Sequence, residues 1–287
     1  MTKLFTDTSA NLPLSLLTAH HIEVLPFSYT VDGKPVPYSE TTDFDGKAFY
    51  DAMRAGAVVK TSMINTETFR EHFTRALEAG DDVLYVGMSG GISGTAGAAA
   101  LTVRELKEAY HDRKIAAIDT FAASLGEGLQ VLNAARMLEE GRTFEEVESY
   151  LLDSRHNMCQ FFTVDDLIYL KRGGRISGAA AAIGTLLQIK PILRGDELGR
   201  IVQCGKVHGS KRALNALADL YDELALDRGA PVGIAHAGNE EGAERLLAEL
   251  KKRGLTGECL NVWYEPVTGA HVGPGTVALF FYSEEWR

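Results

Sequence analysis

Short apolar runs alternate with longer amphipathic segments along the first half of the chain. The apolar run 83–86 lies between two aspartates and a glycine, which is typical of a buried strand, and the small residues after Thr95 are typical of a closely packed helix. The same alternation predicts further strands at 3–5, 22–29 and 115–118. Strands that alternate with helices favour a mostly parallel sheet with helices on both faces.

The second half of the chain contains strands that follow each other more directly, which favours a mixed sheet. Residues 189–194 and 201–207 flank a Gly-Asp-Glu-Leu-Gly turn, as expected for a hairpin. Further strands are predicted at 158–163, 232–237, 259–263 and 277–282. A chain of 287 residues is long for one average domain. We therefore predict an α/β protein with two domains, an N-terminal one at 1–157 and a C-terminal one at 158–287.

Several polar residues are predicted to lie at the ends of these elements or in loops. Thr61 and Ser62 are predicted to be loop hydroxyls before a helix capped by Asn65 or Thr66. Further predictions place Asp165 and Ser177 at the N-caps of two helices and His271 on the glycine-rich loop 269–275.

The loop after the strand at 83–86 is the strongest candidate for a ligand site. Ser89, Ser93 and Thr95 lie where the carboxyl end of a strand meets the amino end of a helix. Such a place offers unpaired N–H groups and a partial positive charge. The sequence therefore predicts an anion site for a carboxylate or a phosphate, to which Arg175 and His271 could contribute.

Composition and charge exclude several classes of protein. The net charge of −10 disfavours a general nucleic-acid binder. The amino terminus lacks an apolar secretory core and the longest small apolar run, 178–187, is too short for a membrane span, so we expect a cytoplasmic protein. The three cysteines, Cys159, Cys204 and Cys259, have no metal-site or disulfide spacing and are expected to be buried free thiols.

Five segments of the chain together resemble the DegV family, bacterial fatty-acid-binding proteins that serve as acyl carriers for a fatty acid kinase. The segments occur in the family's order and span the whole chain, which makes the resemblance far more specific than any one motif. They are Asp-Thr-Ser-Ala-Asn-Leu-Pro at 7–13, Lys-Thr-Ser at 60–62, Ile-Ser-Gly-Thr at 92–95, Leu-Lys-Arg-Gly-Gly-Arg-Ile-Ser at 170–177 and His-Val-Gly-Pro-Gly at 271–275.

The resemblance implies a non-catalytic lipid-binding carrier with the acyl chain buried between two α/β domains. It implies a long-chain fatty acid such as palmitate, stearate or oleate as ligand, with no cofactor and no metal. The carboxylate ligands would be Thr61, Ser93 and His271. Arg175 would lie nearby, and Ser62 and Gly94 would line the head-group pocket.

The sequence departs from the family pattern at three positions next to these residues. Met63 and Ile64 replace the usual glutamine and proline, and Ala96 replaces the usual tyrosine. These departures retain the hydroxyl groups and affect the expected shape of the pocket.

A serine hydrolase is the alternative function. Residues 87–91 satisfy the Gly-x-Ser-x-Gly pattern after a strand, with Ser89 as nucleophile and Asp119 and His271 as partners. Against it, residues 92–94 intervene before the helix, whereas a nucleophile elbow turns directly into its helix. No glycine pattern of a dinucleotide site or a P-loop occurs.

One segment is strongly basic although the chain is acidic. Residues 171–212 contain nine basic residues and two acidic ones, for a charge of +7. The fold could scatter these charges over the surface. Because the segment begins at the Arg175 turn, we instead expect Arg172, Arg194 and Arg200 to flank the mouth of the pocket and to dock the kinase.

Overall fold

The computed structural model describes residues 1–36, 44–176 and 188–284, whose strands form three sheets. The strands are Thr2–Asp7 (β1), Glu23–Leu25 (β2), Ser28–Val31 (β3), Lys34–Val36 (β4), Val59–Ser62 (β5), Asp82–Gly87 (β6), Ile115–Asp119 (β7), Met158–Thr163 (β8), Ile189–Gly195 (β9), Ile201–His208 (β10), Val232–His236 (β11), Cys259–Trp263 (β12) and Val277–Tyr282 (β13). The first sheet is parallel in the order β2-β1-β6-β7. The second is antiparallel in the order β4-β3-β5, and the third is mixed in the order β10-β9-β8-β13-β11-β12.

Helices cover these sheets and connect their strands. They are Leu14–Ala19 (α1), Gly46–Arg54 (α2), Thr66–Glu78 (α3), Thr95–Ala109 (α4), Leu125–Glu139 (α5), Phe144–Ser154 (α6), Ile168–Gly173 (α7), Ser210–Leu224 (α8), Glu240–Lys252 (α9) and Pro266–Val272 (α10). Within the described ranges, none of the helices has the length and apolar character needed to cross a bilayer.

The predicted α/β class is confirmed, with a parallel sheet in the first half and a mixed sheet in the second. The predicted hairpin is also confirmed, because β9 and β10 pair antiparallel. All strands of the mixed sheet come from residues 158–282, and those of the other two sheets come from residues 2–119. The domain boundary at 157/158 stays a prediction.

The prediction of one strand over 22–29 is wrong. The chain breaks at Pro26 and Phe27 into β2, which pairs with β1, and β3, which pairs with β5 in another sheet. Proline has no N–H to donate to a ladder and often ends a strand. The same small sheet corrects a second prediction, since Thr61 and Ser62 belong to strand β5 and not to a loop.

Three other local predictions are wrong, and one cannot be compared. Asp165 does not cap α7, where the Asp166 carboxylate instead accepts from the Ile168 N–H. His271 lies in helix α10 rather than on a loop. Cys204 is exposed because it lies at a bulge on the edge strand β10, and Cys259 is only partly buried. The predicted cap Ser177 lies outside the described residues.

Helix α5 is a shared layer between the parallel sheet and the mixed sheet. Its buried residues include Leu125 and Leu129, which belong to the same apolar cluster as Leu84 of β6 and Phe280 of β13. A helix buried on all sides has an apolar or small residue at most positions. Glu127 is therefore unusual, because it is a fully buried acid in the first turn of α5.

The Glu127 carboxyl group belongs to a buried hydrogen-bonded network at the end of β1. Ser9 Oγ lies 2.6 Å from Glu127 Oε2 and 2.5 Å from Asp7 Oδ1. The Asp7 carboxylate also accepts from the Ser9 N–H and from the Tyr85 hydroxyl, at 2.8 and 2.5 Å. A serine hydroxyl has only one proton, so one of the two carboxyl groups must donate to Ser9.

We infer that Glu127 is the protonated acid of this pair. Burial and the nearby Asp7 carboxylate raise the pKa of Glu127 well above its ordinary value of 4.5. Burial also raises the pKa of Asp7, but hydrogen bonds from Ser9, Tyr85 and Met88 oppose that rise. Asp7 is therefore the better anion of the two, and Glu127 donates to Ser9.

Glutamine at position 127 should reproduce the neutral acid and remove its pH dependence. In the unfolded chain Glu127 loses its proton near pH 4.5, whereas the folded protein retains it to a higher pH. Between these two pKa values the unfolded state is favoured increasingly as pH rises, so Glu127 lowers the free energy of unfolding over that range. We expect the free energy of unfolding to fall less steeply above about pH 4.5 in Glu127→Gln than in the parent. Urea denaturation across pH measures this.

The control for this prediction is Glu108→Gln, which removes an exposed acid on α4. The free energy of unfolding of Glu108→Gln, plotted against pH, should run parallel to that of the parent. If the Glu127→Gln and parent profiles are also parallel between pH 5 and 9, Glu127 is not the buried protonated acid.

Candidate functional site

The centre of the candidate site is a contact between the small antiparallel sheet and helix α10. Thr61 Oγ1 on β5 lies 2.8 Å from His271 Nε2. Both residues are partly buried, and 210 positions separate them in sequence. The contact therefore brings together two of the three residues predicted to hold a carboxylate.

Helix α7 ends against the ring of His271. Gly173 approaches so closely that a Cβ atom at this position would overlap His271 Nδ1. Gly174 follows with a φ of 71°, which favours glycine and turns the chain away from the helix. This explains why two adjacent glycines precede Arg175.

The Arg175 side chain links this turn to the loop that contains Ser93. Its Nε donates to the Ile92 carbonyl at 3.0 Å, and Nη1 donates to the Gly173 carbonyl. Because Ile92 precedes Ser93 directly, Arg175 positions the hydroxyl loop beside the α7 turn. The guanidinium is half-buried and acts here as a positive charge and as a structural link.

Ser93 lies two residues before the first residue of helix α4, in the loop where it was predicted. Its hydroxyl lies 2.9 Å from Thr95 Oγ1 and accepts from the Thr95 N–H at 3.3 Å. Gly94 has no side chain to cap the helix, so the N–H groups that follow the Thr95 N–H at the start of α4 are available to an anion. The Met63 sulfur packs over Gly94, which brings the end of β5 to this loop.

The electrostatics of the site favour an anionic ligand while leaving His271 neutral. Burial, and secondarily the charge of Arg175, lower the pKa of His271 to about 4. A neutral imidazole has one N–H donor and the Thr61 and Ser93 hydroxyls have one each; the Thr61–His271 contact uses one of these three, so two remain for a ligand while that contact is made. Arg175 is the nearby positive charge, although burial lowers its pKa below the ordinary value of a guanidinium.

Ser89 and Asp119, the residues of the hydrolase alternative, make other contacts. Ser89 is fully buried, and its hydroxyl donates to the Gly199 carbonyl at 3.0 Å. The Asp119 carboxylate accepts from the N–H groups of Gly90 and Phe121. His271 meets Thr61 rather than either residue. These contacts do not form a catalytic triad, which requires a hydrogen-bonded nucleophile and base.

The remaining predicted residues surround this centre at different distances. Ser62 follows Thr61 in β5, so its side chain points to the opposite face of the sheet. Arg172 is exposed on the last turn of α7, next to Gly173. Arg200 lines a cavity of about 660 Å³ together with Ser93 and Gly94. Arg194 lies further along the hairpin, opposite Val202.

Two residues that position His271 received no role in the sequence-based predictions, although one of them, Asn11, lies in the 7–13 segment. The Glu265 carboxylate caps α10 by accepting from the N–H groups of Val267 and Thr268, both at 2.6 Å. Asn11 Oδ1 accepts from the Glu265 N–H at 2.9 Å and ties this start to the end of β1. Proline at the first helical position is a readable start signal, and Pro266 after Glu265 provides it.

Comparisons with known proteins agree with this fold. The sequence model of the DegV family, described as uncharacterised proteins, matches residues 1–284. A DegV domain-containing protein of Clostridium perfringens is 35% identical over 282 residues, which cover 98% of this chain and 97% of that protein.

Two solved structures extend the likeness to three dimensions. A fatty-acid-binding DegV family protein from Thermus thermophilus has a TM-score of 0.88 and 33% identity, with 98% of this chain and 99% of that chain covered. A stearic-acid-binding protein from Eubacterium ventriosum has a TM-score of 0.86 and 25% identity, with 99% of both chains covered. With a family match over nearly the whole sequence and the same fold, the chain belongs to the DegV family.

Proposed function

We propose that this protein binds one long-chain fatty acid and presents its carboxylate to a fatty acid kinase for acyl phosphate formation. Thr61, Ser93 and His271 hold the carboxylate, and the tail occupies an apolar tunnel between the two halves of the chain. The protein acts as a carrier in the cytoplasm, where a kinase has access to ATP, and it performs no chemistry itself. Palmitate, stearate and oleate are the expected ligands.

The observation that supports this proposal most strongly is the convergence of donors from separate parts of the chain. Thr61 and His271 meet at 2.8 Å, and Arg175 connects their surroundings to the backbone beside Ser93. Hydroxyl and imidazole donors suit a carboxylate, and the uncapped start of α4 adds a favourable field. The relatives described as fatty-acid-binding share this fold.

The head group and the tail of the fatty acid contribute differently to binding. A hydrogen bond to a charged group contributes about 1.5 to 3 kcal/mol. Each buried methylene contributes about 0.8 kcal/mol, so a long tail provides most of the affinity before ordering costs. The polar site then selects an acid over a neutral lipid of the same length.

This division gives a test in which the head group alone is varied. The parent is expected to bind oleate more tightly than methyl oleate, because the ester has no negative charge. Ser93→Ala and Thr61→Val should each weaken oleate binding by about tenfold while changing methyl oleate binding little. Displacement of a fluorescent fatty acid measures both affinities.

Ser149→Ala, which removes an exposed hydroxyl on α6, is the matched control and should keep both affinities. Loss of the half-buried hydroxyl of Thr61 or Ser93 should not unfold the protein. Equal preference for acid over ester in the parent and in both site variants would contradict the assigned roles.

Basic residues on both sides of the site support the docking of a kinase there. Arg200 is exposed on the hairpin and lines the cavity beside Ser93, while Arg172 is exposed next to the turn that packs on His271. The hairpin turn is fixed to the Ser89 loop by the bond from Ser89 Oγ to the Gly199 carbonyl. Charges held around a mouth can guide an acidic partner to the carboxylate.

Reversal of two hairpin charges should separate docking from lipid binding. In Arg194→Glu/Arg200→Glu, we expect oleate affinity within about twofold of the parent and a kinase rate about tenfold lower at low salt. Raising the ionic strength should lower the rate at which the kinase phosphorylates the fatty acid bound to the parent, and should bring this rate closer to that of the variant. A kinase-coupled assay beside the oleate displacement assay measures both quantities.

Arg104→Glu/Lys107→Glu, which reverses two exposed charges in the second half of α4, keeps the same change in net charge and is the control. It should be phosphorylated at nearly the parent rate. Parent-like rates for the hairpin variant at low salt would show that this surface is not the docking face.

A further inference from the structure

A second polar cavity lies in the C-terminal half, where helices α8 and α9 begin. Its volume is about 360 Å³, and Gly275 lines it from the segment that follows α10. Four basic residues also line it: Arg54, Lys190, Lys211 and Arg245. The cavity shares no lining residue with the Thr61, Ser93 and His271 site, so the proposed fatty acid leaves it unexplained.

The starts of two long helices contribute to the wall of this cavity. Helix α8 has 15 residues and begins after Gly209, which has a φ of 87° and no side chain to cap it. Ser210 and Lys211, in its first turn, both line the cavity. Helix α9 has 13 residues and begins beside Asn239 and Gly242, which also line the cavity, but the Asn239 side chain caps this helix by accepting from the Gly242 N–H. Helix α8 is therefore the one with an uncapped start. Uncapped first-turn N–H groups attract anions.

Thr163 provides a second, independent observation that points to a ligand site in this cavity. This residue ends β8, lines the cavity and is only 6% exposed. Its Oγ1 is buried and has no hydrogen-bond partner in the part of the chain that the structure describes. Buried hydroxyls in folded proteins are nearly always paired, so an unpaired one beside a polar cavity indicates an absent partner.

The basic side chains that line the cavity outnumber the acidic ones. The Asp165 carboxylate lies 2.7 Å from Lys190 Nζ and neutralises it. Arg54 pairs with Asp51 and donates to the Gly238 carbonyl. Within residues 1–36, 44–176 and 188–284, Lys211 and Arg245 make no ion pair, and Glu241 is the remaining acid of the wall.

We propose that this cavity binds a phosphate group, either inorganic phosphate or the phosphate of a small monoester. The first-turn N–H groups of α8 and the Lys211 and Arg245 cations face the phosphate oxygens, and Thr163 donates its unpaired hydroxyl. The volume exceeds that of a bare phosphate ion and accommodates a small substituent. Because Arg54 comes from α2, the bound phosphate would join the N-terminal half to the C-terminal half.

The test uses isothermal titration calorimetry with inorganic phosphate and with glycerol phosphate, against sodium chloride at equal ionic strength. We expect the parent to bind both phosphates in competition at one site, and tighter binding of glycerol phosphate would identify the monoester as the source. Lys211→Ala/Arg245→Ala should weaken binding about tenfold or more, because both cations are lost. Oleate affinity should not change.

Arg212→Ala is the matched control, since Arg212 is exposed on the same turn of α8 but does not line the cavity. It should bind phosphate within about twofold of the parent. Thr163→Val should weaken binding, and Thr163→Ser should restore it, which separates a lost hydroxyl from a folding defect. Absence of phosphate-specific heat in the parent, or equal affinity in the double variant, would overturn the proposal.

Discussion

The hydrogen bond between Thr61 and His271 is the interaction on which the candidate site depends. It joins a strand of the small antiparallel sheet to a helix that precedes the last strand of the mixed sheet. Thr61 lies near the end of β5 and His271 near the end of α10. The positions of both side chains therefore depend on the contacts that hold these two elements in place. Glu265 and Asn11 position the helix, and the pairing of β5 with β3 positions the strand.

Close backbone approaches allow the site to form from such distant segments. A side chain at Gly173 would displace the His271 ring, and one at Gly91 would overlap the Leu198 carbonyl of the hairpin. Glycine is the residue that permits another group so near the main chain. The loops around Ser93 and Arg175 lie close enough for a side chain of one to bond the backbone of the other: Arg175 Nε donates to the Ile92 carbonyl.

Periodicity predicted the elements that form the two large sheets, because strand and helix spacings are local properties of sequence. The strand 83–86 and the hairpin formed by β9 and β10 are examples. It did not predict the small sheet, because the break at Pro26 sends two short strands to different partners. The resemblance of five motifs named Thr61, Ser93 and His271, but only the fold shows that Thr61 meets His271 and that Arg175 connects to the Ser93 loop.

A crystal structure of the protein loaded with oleate tests the central claim most directly. The account predicts density for one fatty acid whose carboxylate oxygens lie within hydrogen-bonding distance of Thr61 Oγ1, Ser93 Oγ and His271 Nε2, with the tail leading away between the two halves of the chain. A carboxylate bound elsewhere, with these three side chains contacting the tail or no ligand at all, would contradict it.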